Sequence, residues 1–244
     1  MRIFLLLAAI AHTSMHAWAQ QGQLDVVGTH PAGTGSVRYF DPAASLGPQK
    51  YETLTYAEVE GSPFLDPRWS KGSLEVSTGK PIPFGQMKYD AYASEVHYID
   101  AQGQELAVGI PQAHRFVLMS PNDPAVVSGK FEAMMDMFNE DKRTYYRVLN
   151  EGKYRLVVLH RCTIKKGNFD PLLGKKELHF ITRTWYGIAE FEYIHPIFIL
   201  DKDRVDKELK FTSDQQKWLK DHHNKLKSEA EVIDFLLYLN GTNK

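Results

Sequence analysis

Cysteine is almost absent from this chain of 244 residues: Cys162 is the only one. No disulfide can form within one chain, so the fold must rest on an apolar core. Charge of one sign is lacking too, with 29 Lys+Arg against 30 Asp+Glu. That balance excludes a general nucleic-acid binder, which needs a basic surface to neutralise phosphates. It equally excludes a polybasic membrane anchor. Long apolar runs are missing as well. The longest, from Ile3 to Ala11, falls well short of the roughly 20 residues that cross a bilayer.

Catalytic signatures are missing in turn. The sequence contains no His-Glu-x-x-His, no Gly-x-Ser-x-Gly, no phosphate loop and no paired-Cys motif. Gly33-Thr34-Gly35 lacks the preceding strand and following helix of a nucleotide fingerprint. No internal repeat points to a solenoid or propeller.

What is present begins at the first residue. Arg2, the apolar run, a more polar stretch and Ala17-Trp18-Ala19 stand in the order of a cleavable signal peptide over residues 1–19. Cleavage after Ala19 would leave Gln20 first. No Cys lies nearby to accept a lipid. A soluble periplasmic or extracellular protein without a transmembrane segment is the expectation. Residues 20–60, rich in Gly, Pro, Ala, Ser and Thr at their start, read as an extended arm with one strand at 36–40.

From Gly61 the expectation is one β-rich domain running to residue 244. Leu74 and Val76, Met87 and Tyr89, Val96 and Tyr98, Leu106 and Val108, and Phe116 and Leu118 recur at period two between turn residues. Such spacing predicts an antiparallel meander. Phe131, Met134, Met135 and Phe138 fit a helix face slightly better than a strand. Asn150-Glu151-Gly152 suits a hairpin loop with Gly in the left-handed position. Tyr154 to Cys162 is apolar on both faces, as a central, doubly covered strand would be. Two further strands should flank a turn at Trp185-Tyr186-Gly187. Beyond Asp201 the period changes to that of helices, with capping pairs at Ser213/Gln216 and Ser228/Glu231. The fold class expected is α+β: a curved antiparallel sheet of meander and hairpins, with C-terminal helices over about 201–240 packed on it.

Candidate functional residues are few. Cys162 would be a nucleophile if His160, His179 or His195 reached it. As a small apolar residue on a core strand, it is more simply a buried thiol. His222-His223 suggests a metal, but adjacent helical residues diverge by about 100°, so neither is taken as a ligand. Asp201, Asp203 and Asp206 could gather calcium, yet they also suit a helix N-terminus. Trp185, Tyr186, Phe191, Tyr193 and Phe198 are dense enough to line a groove or to fill a core. No catalytic residue, metal ligand or cofactor is assigned.

The segments Gly61-Ser62-Pro63-Phe64-Leu65, Lys71-Gly72-Ser73-Leu74, Met87-Lys88-Tyr89 and Val148-Leu149-Asn150-Glu151-Gly152-Lys153, followed by the Lys-rich helical tail, resemble a group of uncharacterised exported proteins of Gram-negative bacteria. The resemblance spans roughly 61–240 and implies export without implying an activity. The functional expectation is therefore a non-catalytic envelope or secreted protein that binds a partner or an apolar ligand on its sheet, or serves as a structural module. The alternative is a hydrolase of unrecognised type. A polar cluster converging in a cavity would favour the enzyme.

Overall fold

The computed structural model describes residues 30–31, 36–40, 51–76, 79–170 and 175–242. The expected leader at 1–19 lies outside them. Thirteen strands and three helices follow in chain order. They are β1 (His30–Pro31), β2 (Ser36–Phe40), β3 (Tyr51–Thr55), β4 (Ser70–Val76), β5 (Pro81–Asp90), β6 (Glu95–Ile99), β7 (Glu105–Gly109), β8 (Ala113–Met119), β9 (Val127–Asp136), β10 (Asn139–Val148), β11 (Tyr154–Asp170), β12 (Lys175–Glu190), β13 (Tyr193–Phe198), α1 (Lys202–Leu209), α2 (Ser213–Asp221) and α3 (Glu229–Thr242). β2 and β3 form a separate hairpin. The others make one open antiparallel sheet in the order β1-β7-β6-β5-β4-β8-β9-β10-β11-β12-β13.

The α+β class with a curved sheet is what the chain adopts. Register shifts bend β4 at Ser70/Gly72, β8 at Leu118/Met119 and β12 at Tyr186/Gly187. Each irregularity adds local twist and bends the strand that carries it. The residues at period two point where their alternation placed them: Leu74, Met87, Val96 and Phe116 are fully buried in a first core. The rings of Phe116 and Phe131 stack there at 4.4 Å. Residues 59–65 close this half. Glu60 pairs with His179 of β12, and Phe64 pairs with Asp90 of β5.

β11 runs through the whole molecule. Its alternation sends Leu156 and Cys162 to one face and Val157 and Leu159 to the other. Cys162 enters the first core. Leu156 meets a second core built with the helices, among them Val205, Leu219, Val232, Phe235 and Leu236. Val157 and Leu159 enter a third core on the opposite face, with Met134, Tyr146 and Ile194. β13 lies against β9 over this third core, so the second half of the sheet curls the other way.

Three local expectations need correction. Residues 131–136 belong to strand β9, not to a helix. Phe131 and Ala133 face the first core while Met134 faces the third. A strand apolar on both faces imitates helical spacing. Trp185-Tyr186-Gly187 is not a turn but continuous β12. Gly187 serves close packing there, since a Cβ would sit 2.6 Å from the Ile194 side chain. The turn falls at Phe191-Glu192 instead. The cap of α2 is one residue earlier than expected: Gln215 N donates to Thr212 Oγ1 at 3.3 Å, and Thr212 N donates to Gln215 Oε1 at 2.8 Å.

The second expected cap holds, with Glu231 N donating to Ser228 Oγ at 3.2 Å. α3 packs on β11. Its stripe is Val232, Phe235, Leu236 and Leu239, while Leu237 is exposed. Trp218 is half-buried, stacked between His222 and Tyr238. Near its end, Asn240 accepts from Tyr154 N at 2.8 Å and donates to Tyr154 O at 3.0 Å. Asn240 thus pins the β10–β11 hairpin, whose Gly152 has φ +124° and no room for a side chain beside it.

Candidate binding groove

The sequence candidates disperse. Cys162 is buried, and burial raises its thiol above the ordinary range. Its sulfur points to Ser62 O at 3.8 Å. His160 faces Thr184 Oγ1 at 3.2 Å, His179 faces Glu60 at 3.0 Å, and His195 lies 3.6 Å from Glu190. None of the three is placed against the thiol, and a protonated thiol is a poor nucleophile. His222 turns back on Trp218 O at 2.9 Å. Asp201 accepts from Asp203 N at 3.0 Å as the N-cap of α1, and Asp206 accepts from Phe211 N at 2.8 Å. Among the described residues, no group of three or more His, Cys, Asp or Glu is arranged to hold a metal.

Two polar clusters went unnoticed in the sequence. In the first half, Asp90 is fully buried. Tyr56 Oη donates to it at 2.6 Å, and the N–H groups of Tyr92 and Ala93 donate at 2.8 Å each. Burial raises its carboxyl above the usual range against these bonds. His97 lies between Asp90 at 3.8 Å and Glu105 at 2.9 Å. Lys88 completes the chain, 3.0 Å from Glu105 and over the rings of Phe64 and Trp69. This chain ties the 56–69 segment to the sheet.

In the second half, Glu229 at the start of α3 meets Arg147 at 3.3 Å and Tyr186 Oη at 3.0 Å. His160 stands near Arg147. Burial, then the guanidinium charge, lowers its imidazole from the ordinary 6.5 to about 4. The second cluster draws on residues distant in sequence, and the first joins three adjacent strands to Tyr56, so neither had a recognised motif.

A groove lies on the outer face of β4, β8 and β9, walled by the β12–β13 turn. Two hollows of about 500 and 1060 Å³ share Glu75, Arg115, Glu132, Arg155 and Phe191. Cross-strand register builds its floor: Glu75 lies opposite Arg115, and Arg115 opposite Glu132. Opposite charges facing each other across strands stabilise a sheet by roughly 0.2–1 kcal/mol a pair. Arg115 reaches Glu75 at 3.3 Å and Glu132 at 3.1 Å. Arg155 reaches the other oxygen of Glu132 at 2.6 Å and donates to Phe191 O at 2.9 Å. The floor therefore holds the turn in place.

Phe191 opens the two-residue turn with φ +56°. Glycine is the default at such a position, because a side chain there costs roughly 1–2 kcal/mol. Its ring is nevertheless 73% exposed. The other aromatics of the expected set do not join it. Trp185 packs on the third core, Tyr186 meets Glu229, Tyr193 sets its ring edge-on to His195 at 4.8 Å, and Phe198 sits with Phe138 at 5.8 Å.

Among the described residues, the groove thus brings together ion-paired Arg and Glu side chains and the exposed Phe191. No helix of the described residues is long and apolar enough to cross a membrane. No protein-family model matches the sequence, no curated protein matches it, and no solved structure matches the fold.

Proposed function

We propose that this is an exported, non-catalytic protein of the periplasm or the exterior that binds a ligand in the groove beneath Phe191. The leader-like residues 1–19 and the resemblance to exported proteins support the first part. Phe191 carries the second. A ring kept both in left-handed backbone and in water costs stability twice, and such outliers concentrate where a contact is made. Arg155 fixes the backbone that carries that ring by its bond to the Phe191 carbonyl. The polar floor narrows the expected apolar ligand to one with an apolar face and polar edges.

The Asp90–His97 pair is the acid–base element that a hydrolase would need, but the thiol of Cys162 is turned to Ser62 O. Binding is therefore the better-supported reading.

The test is an amide-shift titration of isotope-labelled protein with a library of small ring compounds. Shifts should gather at Glu75, Arg115, Glu132, Arg155 and Phe191 and disappear in Phe191→Ala. Hits that map elsewhere would overturn the groove. Turnover of simple esters, glycosides or peptides would overturn the non-catalytic reading. Mass spectrometry of protein from its native envelope should find Gln20 as the first residue. An intact Met1 would sink export.

A further inference from the structure

Most charges of the groove are spent on one another. Glu75, Arg115, Glu132 and Arg155 form one chain of ion pairs. Lys130 meets Glu151 at 3.3 Å, and Arg143 meets Glu192 at 3.4 Å. A charged ligand would find little net opposite field to steer it. It would also have to part a pair and leave one member uncompensated.

Hydrogen-bonding capacity remains. A guanidinium has five N–H donors and a carboxylate about four acceptor sites. Arg155 uses one donor on Glu132 and one on Phe191 O, and Arg115 uses one each on Glu75 and Glu132. Donors and acceptors thus alternate along the floor. Hydroxyl groups, each a donor and an acceptor, match such a floor.

Among the described residues that line the groove, Phe191 is the one exposed Phe, Tyr or Trp side chain. Phe116 and Phe131 lie beneath the floor and are buried. A wholly aliphatic ligand would bury the charged floor without replacing its water, which is costly. A peptide cannot add as a strand, because β4, β8 and β9 each have sheet neighbours on both sides. A sugar ring has one C–H face for the phenyl ring and a rim of hydroxyls for the floor. The hollow of about 500 Å³ beside Phe191 lies within the usual small-ligand range of about 300–1,000 Å³.

From these observations we infer that the groove takes a neutral saccharide, stacked on Phe191 and hydrogen-bonded to Arg115, Arg155, Glu75 and Glu132. The inference rests on the binding reading above and names its ligand class.

The test is calorimetry and amide-shift mapping of the full chain with maltohexaose, cellohexaose, mannohexaose, xylohexaose and chitohexaose. A hyaluronan fragment and an oligolysine serve as charged probes. At least one neutral saccharide should bind and shift the groove amides. Its affinity should change less than about twofold when salt rises from about 0.05 to 0.5 M, since no charge is neutralised. Phe191→Ala should weaken it by about tenfold or more, and Phe191→Trp should retain it. If no neutral saccharide binds while a charged probe shifts the groove amides, the ligand class is overturned and the groove stands. If no probe shifts those amides, both readings are overturned. Equal binding by wild type and Phe191→Ala would also overturn the stacking geometry.

Discussion

From β4 to β8 the sheet curls over the first core, and the buried Asp90 and His97 are joined in one chain that runs from Tyr56 to Lys88. From β9 to β13 the sheet is apolar on both faces, with helices on one side and its own curled edge on the other. Exposed apolar side chains follow the same division. Phe191, Tyr193, Phe198 and Ile199 gather at and just beyond β13. The strands from β4 to β8 contribute none of the large exposed apolar residues. One half has buried what it carries, while the rim of the other keeps apolar surface in water. The groove ends on that same rim, at Phe191.

The largest test of this division asks whether the halves are separable. Phe116→Ala in the first core and Phe235→Ala in the second should each cost about 3–5 kcal/mol. Because β11 lines all three cores, each variant should melt in a single shifted transition. Two resolved transitions in calorimetry would break the halves apart.

A smaller contrast concerns two glycines. A Cβ on Gly72 would collide with the Val117 carbonyl, which is held in the β4–β8 ladder. A Cβ on Gly187 would press chiefly on side-chain methyls, Ile194 Cγ2 and Met137 Cε, with the His195 carbonyl farther off at 3.3 Å. Gly72→Ala should cost about 1–3 kcal/mol or more, and Gly187→Ala toward the lower end of that range. Denaturant midpoints in the reverse order would show that the second half is the more rigid one.

These contrasts also show what the sequence could disclose. Alternation at Leu74, Val96 and Phe116 identified inward residues, because a strand's period is local. The Gly152 hairpin and the Ser228 cap were legible for the same reason. Residues 131–136 misled because β9 serves two cores, and one-dimensional spacing cannot distinguish two faces from one helical stripe. Arg115 was legible as outward-facing beside Phe116. Its partners Glu75 and Glu132 were not, since they come from two other strands. Phe191 was noticed only as one aromatic among five. Its turn contains no Gly, Asn or Asp to mark it, so the groove's wall had no sequence signal.

The next test is of pH. His160 has its imidazole lowered from 6.5 to about 4, so the folded state resists a proton that the unfolded chain accepts. The stabilisation is complete above pH 6.5 and is lost as pH falls through about 4. Part of the effect is screened by solvent at this partly exposed site, leaving about 1–2 kcal/mol. His160→Gln should flatten the acid side of the stability curve over that window. An unchanged slope would remove His160 from the account of the second half.

The smallest expected effect runs toward gain. Phe191→Gly relieves the left-handed residue, and the protein should become more stable by about 1 kcal/mol. Ligand affinity should fall in the same variant. A stability loss would mean that the ring is part of the packing, and the rim would then resemble the first half.

The seam between β4 and β8 has a kinetic consequence. From β4 to β7, and again from β8 to β13, each strand pairs with its neighbour in sequence. Hairpins of that kind form in about 1–10 μs. The seam instead joins Gly72 to Leu118 and Val76 to Ala113, and its formation must first close the loop that holds β5, β6 and β7. Two fast zippers are therefore expected to wait on one slow clasp, and the overall folding rate should follow that long-range pairing.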